Sequence, residues 1–333
     1  MVHLKIDMDD EILNLLRNPP YDFISGQEIS RQLKVTRTAV WKRINHLRKI
    51  GYEIEGETHS GYRLIRSPDL LLPSEVKPLL RTKWMGRTLH YFQSIDSTNS
   101  KAYQLAMEGA EEGEVVVAES QSQGKGRLGR QWFSPPFLNL YLSVILRPKI
   151  PPHQASMMTL MAAVATAEAI QHSAGLDPKI KWPNDLLLRE RKVAGLLNEI
   201  HSEADRIHFI ILGIGVNINM ETKMFPREIR QKATSLRIEK GEMISRKDFI
   251  QILLQRLERW YSTLLEEGPS AILEAWRKWA EIKGRWIKVI SFGEALLGRA
   301  IDIDSDGALV IETKEGGEKR ILAGDVEYFD NRR

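Results

Sequence analysis

The run Gly124-Lys125-Gly126-Arg127-Leu128-Gly129-Arg130 constrains this chain most, because of what flanks it. Three glycines and three cations in seven residues make a loop whose backbone approaches an anion closely while its side chains neutralise charge. The spacing matches G-x-G-x-x-G, which in dinucleotide-binding folds joins a strand to a helix that opens on the phosphate. Glu114 to Glu119 supplies a strand, but Pro135 and Pro136 fall within seven residues of Gly129 and forbid a helix there. No carboxylate stands about twenty residues further on to hold a ribose, so a Rossmann unit is excluded. A kinase glycine loop is excluded as well, since no His-Arg-Asp or Asp-Phe-Gly follows. What remains is a flexible, cationic, strand-flanked loop suited to a ligand that carries phosphate.

The length of 333 residues accommodates two or three domains. There is no cysteine, which excludes disulfides, thiolate metal sites and a cysteine nucleophile. Met1 to Asp7 has no apolar core, so no signal peptide is expected. Met157 to Ile170 is apolar but short and interrupted by Thr159, Thr166 and Glu168. It reads as a buried core helix, N-capped by Ser156 and stopped at Gly175, and not as a membrane span. A cytoplasmic protein is expected. The net charge is only +4, but seven Lys or Arg and no Asp or Glu lie between Ile29 and Tyr52. That local asymmetry points to nucleic acid.

Ser25-Gly26-Gln27-Glu28 reads as a capping box opening a helix to about Leu33. Lys34-Val35 makes a turn, and Thr36 caps a second helix from Arg37 to about Ile50. Val40, Ile44 and Leu47 share one face of it, and Arg37, Thr38, Lys42 and Asn45 share the other. Gly51 ends the helix, and Tyr52–Glu55 and Gly61–Ile65 alternate as a hairpin. This order predicts a winged helix-turn-helix at residues 1–66 that places those four polar residues on DNA; a plain helical bundle with a solvated basic face is the alternative. Pro68 and Pro73 mark a linker over 67–78.

From 79 to 282 strands and helices mix, and three segments read as ligand walls. Asp96-Ser97-Thr98-Asn99, after the strand His90-Tyr91-Phe92, offers short polar groups for a neutral ligand or simply caps a helix. Lys181-Trp182-Pro183-Asn184-Asp185 leads into a hairpin of Leu186–Leu188 and Lys192–Leu197. Lys192, among small residues, has room to reach a carboxylate or phosphate, although a plain surface lysine also fits. Phe209–Asn217 is an apolar strand with two glycines, which weaken a strand unless something approaches it closely.

Together these motifs resemble the biotin–protein ligases, in particular the bifunctional family whose members also repress the biotin operon. The resemblance covers essentially the whole chain through Asp96–Asn99, Gly124–Arg130 with Trp132-Phe133-Ser134, Lys181–Asp185 and Arg191–Gly195. One departure is Lys125, where the best-known member has Arg, so a point charge replaces a planar fork. The resemblance implies an α+β protein: a winged helix-turn-helix, a central ligase domain like the class II synthetase/lipoate ligase fold, and an SH3-like barrel at 283–333. It implies that biotin and ATP form biotinyl-5'-AMP, whose biotin passes to a lysine of biotin carboxyl carrier protein, with Mg²⁺ on the phosphates. Lys192 would bridge biotin's carboxylate and the α-phosphate, and Arg127 would retain the adenylate. Ser97, Thr98, Asn99, Gln121, Lys125, Gly126, Arg127 and Lys192 would bind biotin; Arg127, Arg130, Trp132, Asn184 and Asn217 would bind the nucleotide. Asp185 would orient the attacking lysine or a metal. A homodimer would present its recognition helices to the biotin operator, with the adenylate as corepressor.

A helix from Arg246 to Leu265 and another around Ala271–Ile282 precede strands at Trp286–Ile290, Ala295–Asp302, Ala308–Thr313 and Lys319–Ala323. Asp302–Gly307 imitates a calcium loop, but position twelve is Thr313 and strands flank it, so a turn is the better reading. The histidines, His201 and His208 included, show no ligand spacing, so no metal site of the protein's own is expected. Two rivals stay open: a lipoate–protein ligase, and a biotin-sensing regulator without turnover. The absence of cysteine removes a cysteine-dependent octanoyl or lipoyl transferase.

Overall fold

In the computed structural model, which describes residues 8–17, 22–280, 282–291, 294–314 and 316–328, the chain divides into two units, Met1–Pro78 and Leu79–Arg333. The expected lack of a signal peptide rests on residues 1–7, which lie outside the described ones, as do 329–333 of the C-terminal domain.

The first unit orders as α1 (Met8–Arg17), α2 (Gly26–Leu33), α3 (Arg37–Lys49), β1 (Glu53–Glu57), β2 (Gly61–Arg66) and α4 (Pro73–Val76). Ser25 and Thr36 cap α2 and α3, accepting from the backbone N–H of Glu28 at 3.0 Å and of Ala39 at 3.1 Å. Each cap satisfies one of the donors a helix start leaves open, and Lys34 takes the left-handed conformation between them (φ 53°). Val40, Ile44 and Leu47 are fully buried with Ile29 and with Ile12 and Leu16 of α1. The hairpin wing is antiparallel, and Ile24 bridges Tyr62 to lengthen it. Gly61 permits this: at φ +116°, a Cβ there would stand 2.2 Å from the Ile24 carbonyl oxygen.

Two features were not legible beforehand. α1 was not expected, although Asp9, Asp10 and Glu11 suit its first turn and Ile12, Leu13 and Leu16 its buried face. Residues 67–78, read as a linker, contain α4, which is fastened to the first unit. Glu75 accepts from the Tyr52 hydroxyl at 2.7 Å and pairs with Arg17.

The second unit is built on a seven-stranded sheet: β3 (Leu89–Phe92), β4 (Val115–Ala118), β5 (Leu140–Leu146), β6 (Lys179–Lys181), β7 (Asp185–Leu188), β8 (Arg191–Ser202) and β9 (Ile207–Val216). Its order is β3-β4-β5-β9-β8-β7-β6, with β3 and β4 parallel and every other pairing antiparallel. Helices α5 (Thr98–Met107), α6 (Ser156–Ala174), α7 (Leu236–Lys240), α8 (Arg246–Glu267) and α9 (Ser270–Ala280) complete this layer. α6 is buried nearly all round, as expected of a core helix, and ends at the left-handed Gly175. Ser156 is not its N-cap. A 3₁₀ turn at Pro152–Gln154 runs straight into the helix through Ala155, and the Ser156 hydroxyl donates to the Asp306 carbonyl instead. Among the described residues no helix is long and apolar enough to cross a membrane.

The chain ends in a five-stranded antiparallel sheet of β10 (Trp286–Ser291), β11 (Glu294–Ile303), β12 (Leu309–Thr313), β13 (Glu318–Ile321) and β14 (Asp325–Tyr328). β14, which sequence reasoning missed, returns to pair with β10, in the manner of a small SH3-like barrel. Asp302–Gly307 is the β11–β12 turn: the Asp304 carboxylate accepts from the N–H groups of Asp306 and Ala308 and pairs with Arg320. Among the described residues no group of three or more His, Asp or Glu is arranged to hold a metal ion.

Candidate functional site

Where β4 ends, Glu119 accepts from Arg246 at 2.6 Å, both side chains being essentially unexposed. The neighbouring Tyr91 hydroxyl is pushed up to about 12 by its burial and by the Glu119 charge. Beyond that anchor the glycine-rich loop closes as a short hairpin. Trp132 N–H donates to the Gly124 carbonyl at 2.8 Å, and Gly126 N–H to that of Arg130 at 2.7 Å. Lys125 bridges Gln131. Leu128 and Gly129 turn its tip at φ 56° and 74°.

The loop closes over a cavity of about 260 Å³ above the sheet. Every cavity residue expected from sequence lines it: Ser97, Thr98, Asn99, Gln121, Lys125, Gly126, Arg127, Arg130, Trp132, Asn184, Lys192 and Asn217, with Asp185 beside them. At one end the start of α5 supplies a buried polar wall. Ser97 caps α5, as the commoner reading held, while Thr98 and Asn99 turn into the interior. Thr98 donates to Gln121 Oε1 through its N–H at 2.8 Å and lies 2.8 Å from the Ser143 hydroxyl. Asn99 accepts from that hydroxyl at 2.6 Å and donates to Glu199 at 2.8 Å. Glu199 also takes the Lys125 ammonium at 3.1 Å, so the departure from Arg gives a single-point ion pair.

The strand glycines make the floor. Gly195 and Gly215 stand opposite each other on β8 and β9. Cβ atoms there would meet the Trp132 ring at 2.9 and 2.6 Å, so the indole lies flat on bare backbone. Gly213 clears Asn99 in the same way, at 2.1 Å. Replacing Gly215 by Val should lift Trp132 off its seat and cost about 1–3 kcal/mol by overpacking, read as a lower urea midpoint.

Cations complete the cavity. Lys192 pairs with Asp185 at 2.6 Å, and its Nζ lies 5.4 Å from the Trp132 ring centroid. Its backbone is tied on both sides, to the Lys232 carbonyl at 2.8 Å and the Thr234 N–H at 2.9 Å. Arg127 donates to Asn184 Oδ1 at 3.2 Å and to the Gly324 carbonyl at 3.3 Å. Burial lowers its pKa while Asp325 and Asp185 oppose that shift, and the group stays charged. Arg130 pairs with Asp325. Asn217 is buried and donates to the Thr234 carbonyl at 3.0 Å.

Sequence reasoning missed Asp325, Glu199 and Ser143. Nothing local marks them: their proximity comes from β14 returning to β10 and from the registers of β5 and β8. His201 and His208, spaced too widely for one helix face, come together across the paired strands β8 and β9, with ring centroids 5.4 Å apart beside Tyr103 and Phe209. Arg37, Thr38, Lys42 and Asn45 lie on α3 in the other unit, the first three exposed and Asn45 half-buried.

Residues 91–217 match the biotin/lipoate A/B protein ligase family, residues 10–63 an HTH domain, and residues 284–328 the biotin protein ligase C-terminal domain. The bifunctional ligase/repressor BirA of Bacillus subtilis is 40% identical over 95% of this chain and 97% of its own length. The corresponding protein of Escherichia coli is 30% identical over 95% of both. The biotin protein ligase of Aquifex aeolicus, solved with biotin and ATP, superposes with a TM-score of 0.63 and 27% identity, covering 73% of this chain and 99% of that one. The chain therefore belongs to the bifunctional biotin protein ligase/repressor family.

Proposed function

We propose that this chain is an ATP-dependent biotin–protein ligase that also represses transcription. The observation that carries the catalytic half is the convergence of four separate sequence motifs on one cavity holding Lys192 and Arg127. In the first step an oxygen of biotin's carboxylate bonds to the α-phosphorus of ATP, and the bond to the bridging oxygen breaks, releasing pyrophosphate. Two anions have to meet, so the barrier falls where fixed cations face the developing charge. Lys192 serves there, aimed by its ion pair with Asp185. Thr98, Asn99 and Gln121 suit the polar head of biotin, with Ser97 positioning them and Lys125 and Gly126 covering it. Arg127, Arg130, Trp132, Asn184 and Asn217 suit the nucleotide.

In the second step the ε-amine of a lysine on a biotin carboxyl carrier protein attacks the acyl carbon; the C–N bond forms, the C–O bond to AMP breaks, and the amine gives up a proton. The hairpin loop excludes water from the adenylate meanwhile. Mg²⁺ enters as part of the nucleotide substrate, carried by its phosphates. This chemistry is placed in the cytoplasm, where ATP and the carrier are.

A biotin-dependent ATP–pyrophosphate exchange assay tests the enzyme; exchange with lipoate and none with biotin would make it a lipoate ligase. Replacing Arg127 by Gly should speed loss of adenylate by on the order of 10- to 100-fold, the worth of a charge-assisted hydrogen bond, measured by its retention through rapid gel filtration. Unchanged retention would remove Arg127 from this role.

For the second activity, the acid-free α3 carries the reading: a homodimer presents two such helices to a two-fold operator when biotinyl-5'-AMP is bound. A gel shift on the biotin-biosynthesis promoter, with and without biotin and ATP, tests it; absent or ligand-independent binding would refute it.

A further inference from the structure

α3 carries one large side chain that the repressor reading leaves unused. Trp41 is 55% exposed, on a helix whose other apolar residues Val40, Ile44 and Leu47 are fully buried. Arg37, Trp41 and Asn45 are spaced four apart and form one ridge, with the indole at its middle. The cations around it fall into two sets. Arg43 and His46 turn toward Asp9 of α1, each 3.7 Å away, and Arg48 donates to the Ile54 carbonyl at 3.0 Å. Arg37 and Lys42 form no ion pair among the described residues. The Trp41 ridge is thus flanked by unpaired positive charge and, between Ile29 and Tyr52, by no carboxylate.

An exposed indole beside unpaired cations suits a surface that offers an apolar group and anions together. The DNA major groove offers both, because phosphates line it and the 5-methyl group of thymine is its apolar landmark. We propose that Trp41 is a sequence-reading residue whose indole packs on a thymine methyl in the major groove, while Lys42 holds a phosphate. This rests on the repressor reading and deepens it, since it assigns a base preference to one side chain.

The test uses the full chain with biotin and ATP to select a duplex from a randomised pool. Each thymine of the selected site is then replaced by uracil, which lacks only the methyl. Uracil at one thymine should weaken wild-type binding by about 5- to 10-fold and Trp41→Ala binding by less than about twofold. Lys42→Ala should weaken all duplexes alike and lower the salt slope by about one unit. Pyrophosphate exchange and far-UV circular dichroism of the Trp41→Ala protein should match wild type, since the side chain is exposed and lies in the other unit from the cavity.

A Trp41→Ala protein with wild-type affinity and the same uracil sensitivity would overturn the assignment and leave DNA binding standing. Loss of dimer in sedimentation with an unaltered uracil pattern would also overturn it, giving Trp41 to a second copy of the chain. A wild-type protein that enriches no duplex would remove the repressor reading and this proposal with it.

Discussion

Replacing Lys192 by Ala should reduce biotin-dependent pyrophosphate exchange by on the order of 10³-fold while leaving the thermal midpoint nearly unchanged. The Lys192 side chain is 35% exposed, so its loss opens no cavity in the core. Its partner Asp185 is left facing the cavity as an unpaired carboxylate, which repels both anionic substrates. Lys192→Arg should recover little, because the Lys192 Cε and Nζ lie 3.0 and 3.2 Å from the place a Cβ at Gly195 would occupy. The wider guanidinium has no equivalent space there. Single-turnover formation of labelled adenylate separates this loss of chemistry from a loss of binding. Exchange within about tenfold of wild type in the Ala variant would refute the role.

The second large effect is on stability. Arg246→Met leaves Glu119 as a buried charge without its guanidinium, and should cost about 3–5 kcal/mol. For a unit of this size that lowers the thermal midpoint by on the order of 10 °C. The double replacement of Glu119 and Arg246 by Leu and Met should regain most of it, because both desolvated charges are then gone. Equal losses in the single and double variants would refute this account, since the stranded Glu119 charge would then add nothing to the cost. The pair stands where β4 gives way to the glycine-rich loop, so the single variant should also raise the KM for biotin, measured at a temperature well below its unfolding.

Some of this molecule is written in short segments. Ser25 and Thr36 cap because a hydroxyl placed three residues before a free N–H closes a local ring, which needs nothing distant. The recognition helix and the wing followed from apolar spacing within a dozen residues. The glycines of β8 and β9 announced a close approach without saying what approaches: Trp132 and Asn99 fill those gaps from more than sixty positions away. α1 escaped because it is only ten residues long and the partners that bury Ile12, Leu13 and Leu16 stand on α2 and α3. Ser156 was misread because the hydroxyl's choice between its own helix and the Asp306 carbonyl depends on a turn 150 residues later.

The amino-acid sequence alone determined the chemistry this chain brings: cations on a glycine hairpin, a lysine at a strand start, short polar groups at a helix start, and an acid-free helix. These are properties of residue type and near spacing. Tertiary structure alone decided that Glu199 holds Lys125, that Asp325 reaches Arg130, and that the Glu119–Arg246 pair is sealed from water. Such pairings depend on strand register and on the return of β14 to β10. Contacts between segments 74 to 195 residues apart set them, and no local pattern encodes that distance.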